Sequence, residues 1–351
     1  MKIGIYDPYL DTLGGGEKYM LTAASCLSKD HEVSIFWDDK EISDKAYKRY
    51  SLDISSVSIV PNIFSSKSLL GRIFQTQKYD AIFYLSDGSI PFVGSKKLFL
   101  HFQFPIEWVN VTSLTKIKLT RISQVICNSK FTKEYIDKKL NISSQVIYPP
   151  IEINHKQSKK KNIILTVGRI QKNSDGRFTK KQEVMINSFK KMVDDGLKNW
   201  DFYVVGGVLK DDSLTQELKK MAKGYPIKIL PNINANELES LYQEAKIYWH
   251  ATGFGENIDS HPERAEHFGI ATVEAMAHGC VPVVINLGGQ KEIVEDEKNG
   301  FLWDDPKELI EKTTLLMKNP IMIQQISEQA INTSKDFSID KFCKEITKLF
   351  A

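Results

Sequence analysis

Cysteine is scarce in this chain, and its placement excludes more than its number does. The four residues, Cys26, Cys127, Cys280 and Cys343, stand far apart, with no CxxC pair. Such spacing suits neither a zinc site nor a disulfide scaffold and predicts reduced thiols, as in the cytoplasm. Long apolar runs are missing too: nothing approaches the roughly 20 residues that a membrane-crossing helix needs. The opening Met1-Lys2-Ile3-Gly4-Ile5-Tyr6 reads as a strand and lacks the apolar core of a signal peptide. Charge is nearly balanced. A formal net charge of +3 gives no electrostatic footprint for nucleic acid. The acidic pairs Asp38-Asp39, Asp211-Asp212 and Asp304-Asp305 lack DxD spacing, and His261, His267 and their neighbouring acids have no ligand spacing. No metal and no cofactor is expected.

What is present is ordinary in bulk and specific in pattern. Apolar content of 42% and charged content of 26% suit a globular enzyme, and 351 residues exceed one typical core. Strand and helix patterns alternate throughout, which predicts an α/β fold with mainly parallel sheets. The first series of strands is expected at 2–7, 32–37, 57–60, 81–85, 97–102, 124–127 and 145–148. Pro149-Pro150 and the lysine-rich 155–162 then read as a linker. A second series follows at 163–167, 201–205, 227–230, 247–250, 281–285 and 300–303, with tail helices near 321–335 and 339–349.

Residues 266–289 carry the densest signal. Glu266 and Glu274 are separated by seven residues, with Phe268-Gly269-Ile270 between them. A helical run then ends at Gly279 before the apolar strand Val281-Pro282-Val283-Val284-Ile285. A helix starting near Gly269 or Ile270 would turn its free N–H groups and positive dipole end outward, which favours a diphosphate. Ile270, Ala271 and Thr272 form that first turn. One acid precedes the terminus and the other lies about one turn inside it. Carboxylates in that arrangement can accept hydrogen bonds from the hydroxyls of a nucleotide sugar.

These residues resemble the signature of retaining glycosyltransferases of family 4, the group 1 transferases. The resemblance covers almost the full chain and implies the GT-B fold, two Rossmann-like domains with parallel sheets facing a deep cleft. The expected division is 1–155 for an acceptor domain and 156–335 for a nucleotide-sugar domain. A final helix, 336–351, would cross back to the first. The family pairs an Arg after the first strand of the second domain with a Lys at the next helix start, both gripping the donor diphosphate. Val167-Gly168-Arg169 and Lys180-Lys181-Gln182 match, with Lys180 at the lysine position. The family usually has Gly next, so either Lys180 or Lys181 could be the ligand. Leu230-Pro231-Asn232-Ile233 corresponds to the loop that holds the base, so Asn232 and Ile233 join the donor set. Leu98 to Pro105 resembles the segment that places a His at the cleft, which nominates His101, with a packed histidine as the alternative. Asn128 or Ser129 reads as a helix N-cap.

The first strand opens into Gly14-Gly15-Gly16, where a ligand can approach backbone closely. A dehydrogenase would show GxGxxG here, and consecutive glycines are not that. Family members carry such a loop facing the donor diphosphate, so Gly15 and Gly16 are candidates. The long polar loop 252–265 adds His261, Glu263 and Arg264 as residues that could touch donor or acceptor.

The resemblance implies transfer of a hexose from a nucleoside diphosphate sugar to a glycan or lipid-linked acceptor, with retention and without metal. His267-Phe268-Gly269-Ile270 with Val273-Glu274-Ala275-Met276 is similar to lipid-linked oligosaccharide mannosyltransferases. That makes GDP-mannose the first expected donor, with a UDP-hexose second. The competing class is a sugar-nucleotide hydrolase, epimerase or binding protein on the same scaffold. Two basic amphipathic stretches, Leu69 to Phe74 with Lys67, Arg72 and Lys78, and 111–122 with Lys116, Lys118 and Arg121, could place the protein peripherally on a membrane.

Overall fold

A computed structural model describes residues 1–65, 68–153, 158–208 and 213–351. The expected boundary near residue 155, the pair Asp211-Asp212 and Lys67 lie outside the described residues. The chain forms two compact units, one of residues 1–150 and 338–351 and the other of residues 151–337.

The N-terminal unit begins with β1 (Lys2–Tyr6), α1 (Gly15–Leu27), β2 (Glu32–Phe36), α2 (Ile42–Tyr50) and β3 (Ser58–Val60). It continues through α3 (Leu69–Thr76), β4 (Ala81–Leu85), β5 (Lys97–Phe102) and α4 (Ser113–Leu119). Then come β6 (Gln124–Cys127), α5 (Lys130–Leu140) and β7 (Gln145–Val146). The strands form one parallel sheet in the order β3-β2-β1-β4-β5-β6-β7. Near-continuous burial of β1, β4 and β5 is what a sheet covered on both faces requires. Ser129 caps α5, its hydroxyl accepting from the Thr132 amide at 3.0 Å, in keeping with its reading as an N-cap.

The second unit comprises β8 (Lys161–Val167), α6 (Gln182–Asp194), β9 (Asp201–Gly206), α7 (Ser213–Ala222), β10 (Ile227–Pro231) and α8 (Ala235–Glu244). It goes on with β11 (Ala245–His250), α9 (Ile270–Ala277), β12 (Val281–Ile285) and α10 (Gln290–Ile293). β13 (Phe301–Trp303), α11 (Pro306–Lys318) and α12 (Pro320–Ser334) complete it. Its sheet is again parallel, in the order β10-β9-β8-β11-β12-β13. Trp249, Phe202 and Phe189 pack together in its core, each fully buried. A buried aromatic of this kind contributes about 1.5–3 kcal/mol by leaving water.

The tail helix α13 (Ile339–Leu349) belongs to the N-terminal unit, where Phe342 and Ile346 pack against α1. Here the cysteine reading needs correction. Cys26 on α1 and Cys343 on α13 are joined in a disulfide, with Cα atoms 5.3 Å apart. A separation of 317 residues hides this pairing from any spacing argument. Only Cys127 and Cys280 are free thiols, both buried.

At the end of β1 lies Asp7, fully buried, with Oδ1 accepting from the Tyr9 amide at 2.8 Å. Burial pushes its carboxyl up to about 8, against the pull of that amide. A group raised in this way stabilises the fold fully below its unfolded value of 3.8 and loses that contribution as pH climbs to about 8. Asp7→Asn does not titrate. Its stability relative to the parent should therefore rise between pH 4 and 8, by up to about 1.4 kcal/mol per pH unit. Urea denaturation across that range is the measurement, and a pH-independent difference would mean that Asp7 is ionised in the folded protein.

Candidate active site

Open parallel sheets bind ligands beyond the carboxyl ends of their strands, where the strand order reverses. In the second unit that point lies between β8 and β11. The segments leaving the two strands are Gly168-Arg169 and Ala251-Thr252. A Cβ on Gly206, at the end of β9, would stand 2.2 Å from the Gly168 carbonyl oxygen, so these turns touch through bare backbone. A Cβ on Gly168 would lie 3.0 Å from Lys180 Cγ, because the Lys180 stem runs directly across it.

Lys180 reaches Glu266. Its Nζ donates to Glu266 Oε2 at 2.7 Å, and His250 Nε2 lies 2.8 Å from the same oxygen. Burial disfavours the Glu266 charge, but Lys180 and His250 outweigh it and hold the carboxyl well below the usual range. His250 itself is lowered, first by burial, with Glu266 pulling the other way. A neutral imidazole follows, donating from Nε2 to Glu266, with Thr252 Oγ1 3.1 Å away. His250 did not emerge from the sequence. Its signal was available: a polar residue closing a buried strand at the switch point.

The turn after Glu266 is built by glycines. Gly269 sits at φ +121 and caps α9, accepting from the Thr272 and Val273 amides. Gly289 donates to the Glu266 carbonyl at 2.8 Å, and a Cβ there would collide with the Phe268 backbone at 2.4 Å. As at any helix start, the leading N–H groups, here those of Ile270 and Ala271, have no intrahelical acceptor. One turn on, Glu274 Oε2 accepts from the Tyr242 hydroxyl at 3.2 Å.

Other expected ligands are placed differently. Phe268 is buried edge-to-face on Phe337, and Thr272 is fully buried, so their side chains serve the core. Arg169 is exposed and makes no ion pair among the described residues. Its carbonyl accepts from Gln182. Asn232, at φ +52, ties the turns after β9 and β10, its Oδ1 accepting from the Val208 amide at 2.8 Å. Ile233 follows it, half-buried.

Lys181 is not interchangeable with Lys180. It caps α6 in the left-handed region at φ +54, where glycine would be unstrained, and its side chain turns inward. Its ammonium pairs with Glu256, both side chains almost completely buried. Glu256 Oε2 also receives Arg264 at 2.9 Å and Arg177 at 3.0 Å, and both arginines reach Asp175. This network pins the 252–265 loop to the 171–181 segment. Arg264 is thus structural, and His261 meets Glu263 at the surface. His267 is half-buried, and desolvation lowers its imidazole to about 4.

In the N-terminal unit, Gly15 opens α1 and Gly16 lies against Gln103, whose Nε2 donates to the Gly16 carbonyl at 3.0 Å. His101 sits at the end of β5 as a packed side chain. Its ring is fully buried, stacked 4.1 Å from Tyr19 and near Phe83, and burial lowers it to about 3. Two residues further along the chain, Gln103 faces the glycine loop instead.

The two lysines should separate in stability. Lys181→Met strands part of a buried charge cluster and should cost about 3 kcal/mol, whereas Lys180→Met removes a partly exposed pair worth about 1 kcal/mol or less. Chemical denaturation of both variants checks this, and equal losses would make Lys180 a structural residue as well.

Residues 150–333 match the family of glycosyl transferases group 1. The chain is 24% identical to a Campylobacter jejuni alpha-1,4-N-acetyl-D-galactosaminyltransferase named for a PP-undecaprenol-linked glycan, over 100% of this chain and 98% of the other. It is 24% identical to a Dictyostelium discoideum GDP-Man:Man(3)GlcNAc(2)-PP-Dol alpha-1,2-mannosyltransferase, over 64% of this chain and 46% of that one. An Anabaena protein, HepE, solved with UDP-glucose, superposes with a TM-score of 0.72 at 18% identity, over 100% of this chain and 99% of the other. That likeness is one of fold, α/β of the GT-B type with two Rossmann-like parallel sheets. With the family matched over more than half its length, the chain belongs to the group 1 glycosyl transferases.

Proposed function

We propose that this transferase moves a hexose from a nucleoside diphosphate sugar to a glycan or lipid-linked hydroxyl, with retention and without a metal ion. The observation that carries the reading is Glu266, held ionised by Lys180 and His250 beside the N-terminus of α9. As the bond from the anomeric carbon to the diphosphate oxygen breaks, negative charge grows on the diphosphate. Lys180, Arg169 and the Ile270 and Ala271 amides supply the opposing charge and donors. The acceptor oxygen bonds to the anomeric carbon on the same face, and its proton passes to the departing phosphate oxygen. Glu266 faces the ring as positive charge develops there, while Glu274 takes the ribose hydroxyls.

GDP-mannose is the first donor to test, because the Dictyostelium relative is named for it, and UDP-hexoses come next because HepE was solved with UDP-glucose. Sugar transfer to an acceptor, measured beside donor hydrolysis without one, separates this reading from a hydrolase or a binding protein.

The two acids should part in kinetics. An interaction equal in ground and transition states governs KM, and one strengthened in the transition state governs kcat. Glu274→Gln should mainly raise the donor KM, roughly ten- to a hundredfold for a lost hydrogen bond to a charged group. Glu266→Gln should mainly lower kcat; an unchanged kcat would remove Glu266 from the reacting sugar.

Substitution of Lys180 or Arg169 by Ala should cost roughly 2–4 kcal/mol in kcat/KM, by analogy with the loss of an oxyanion donor. Excess EDTA should leave activity intact. Loss of activity restored by Mn²⁺ or Mg²⁺ would overturn the metal-free assignment.

A further inference from the structure

Two helices of the N-terminal unit do not behave as ordinary cover for a sheet. Of the residues on α3 only Thr76 is buried, and α4 buries none. A sheet-packing helix would sink an apolar stripe. Instead, Leu70 is 80% exposed, Phe74 76% and Ile117 60%, with Leu69, Leu114 and the nearby Trp108 also outside.

The segment between β4 and β5 joins these elements into one surface. The Gly94 amide donates to Thr76 Oγ1 at 2.7 Å, and a Cβ on Gly94 would stand 2.3 Å from the Ile73 carbonyl, so α3 lies against it. Lys118 of α4 donates to the Ile90 carbonyl at 2.7 Å and rests 4.8 Å over the Phe92 ring. A Cβ on Gly88 would stand 2.4 Å from Val109 Cγ2 and 3.7 Å from the Trp108 indole nitrogen, so this turn lies against both.

Charge on this surface has one sign. Among the described residues, 68–79, 88–106 and 108–122 hold Arg72, Lys78, Lys96, Lys97, Lys116, Lys118 and Arg121 and not one Asp or Glu. Acids occur only at the borders: Asp80 is engaged by Lys96, Glu107 by Lys139, and Asp87 accepts from the Ser89 amide. Burial and the neighbouring Arg72 charge both lower Lys118.

We propose that α3, α4 and Trp108 form a docking face for the surface of an anionic lipid bilayer, with Leu70, Phe74 and Ile117 entering the interface and the cations meeting headgroups. Aliphatic and indole side chains interleaved with Lys and Arg suit that boundary, where each cation adds about 1 kcal/mol. A second copy of this chain fits poorly, since self-pairing would set like charges face to face. The inference goes beyond the proposed reaction and does not depend on it.

The experiment is co-sedimentation of the full chain with phosphatidylcholine vesicles, with and without phosphatidylglycerol. The protein should pellet with the anionic vesicles alone and be released by salt. The triple variant Leu70→Ser, Phe74→Ser, Ile117→Ser should partition at least tenfold more weakly. The charge reversal Lys116→Glu, Arg121→Glu should do the same, which keeps the test decisive if either variant folds poorly. Equal pelleting with neutral vesicles, no pelleting at all, or no effect of either variant would overturn the proposal. So would a dimer in sedimentation velocity that the triple variant dissolves.

Discussion

One carboxylate oxygen organises the second unit. Lys180, from the segment after β8, and His250, at the end of β11, meet on Glu266 Oε2, which the loop after β11 delivers. No two of these residues are neighbours in the chain. Parallel strand order brings them together, because β8 and β11 lie side by side and release their segments at the same edge. Burial alone would drive Glu266 to accept a proton, and the two partners reverse that outcome. A chemically useful charge therefore exists only because the sheet is wound this way. The glycines at 168, 206, 269 and 289 follow from the same demand, since a side chain at any of them would push the converging segments apart.

Much of this could be read in advance where chemistry is local. Gly269 before a helical run and the apolar β12 declare their places within a few residues. The alternation of elements likewise identifies parallel sheets, because both the helical and strand periods are written in the residues themselves. Which way one side chain turns is not written locally. Phe268 and Thr272 lie in the glycine-built turn with their side chains buried, and His101 is stacked on Tyr19. His250 was missed because a single polar residue at a strand end has no signature until the opposing Glu266 is known. The Cys26–Cys343 bond lies beyond any local reading: only the return of α13 onto α1 creates it.

Bulk charge misleads in the same manner. A net +3 over 351 residues describes a neutral protein, yet acids are excluded from three long segments of the N-terminal unit and concentrated elsewhere. Two of those acids, Asp175 and Glu256, are consumed in pinning the 252–265 loop. Balance over the whole chain thus conceals two local specialisations: a surface where cations outnumber acids, and a charge cluster built around the buried pair Lys181–Glu256.

Lys180 and Lys181 show how little backbone is needed to divide such tasks. Adjacent residues at the start of a helix would ordinarily share one environment. At residue 181 the chain enters the left-handed region, and that reversal sends successive side chains in different directions. Lys180 runs across Gly168 toward a partly exposed carboxylate, where an incoming anion can compete for its proton-rich end. Lys181 is driven inward, where only the carboxylate of Glu256 makes its burial tolerable. A glycine at this position would adopt the same turn at no steric cost and carry no charge to be buried. Here the backbone strain and the buried ion pair come together, and what they secure is a fixed 252–265 loop beside Glu266.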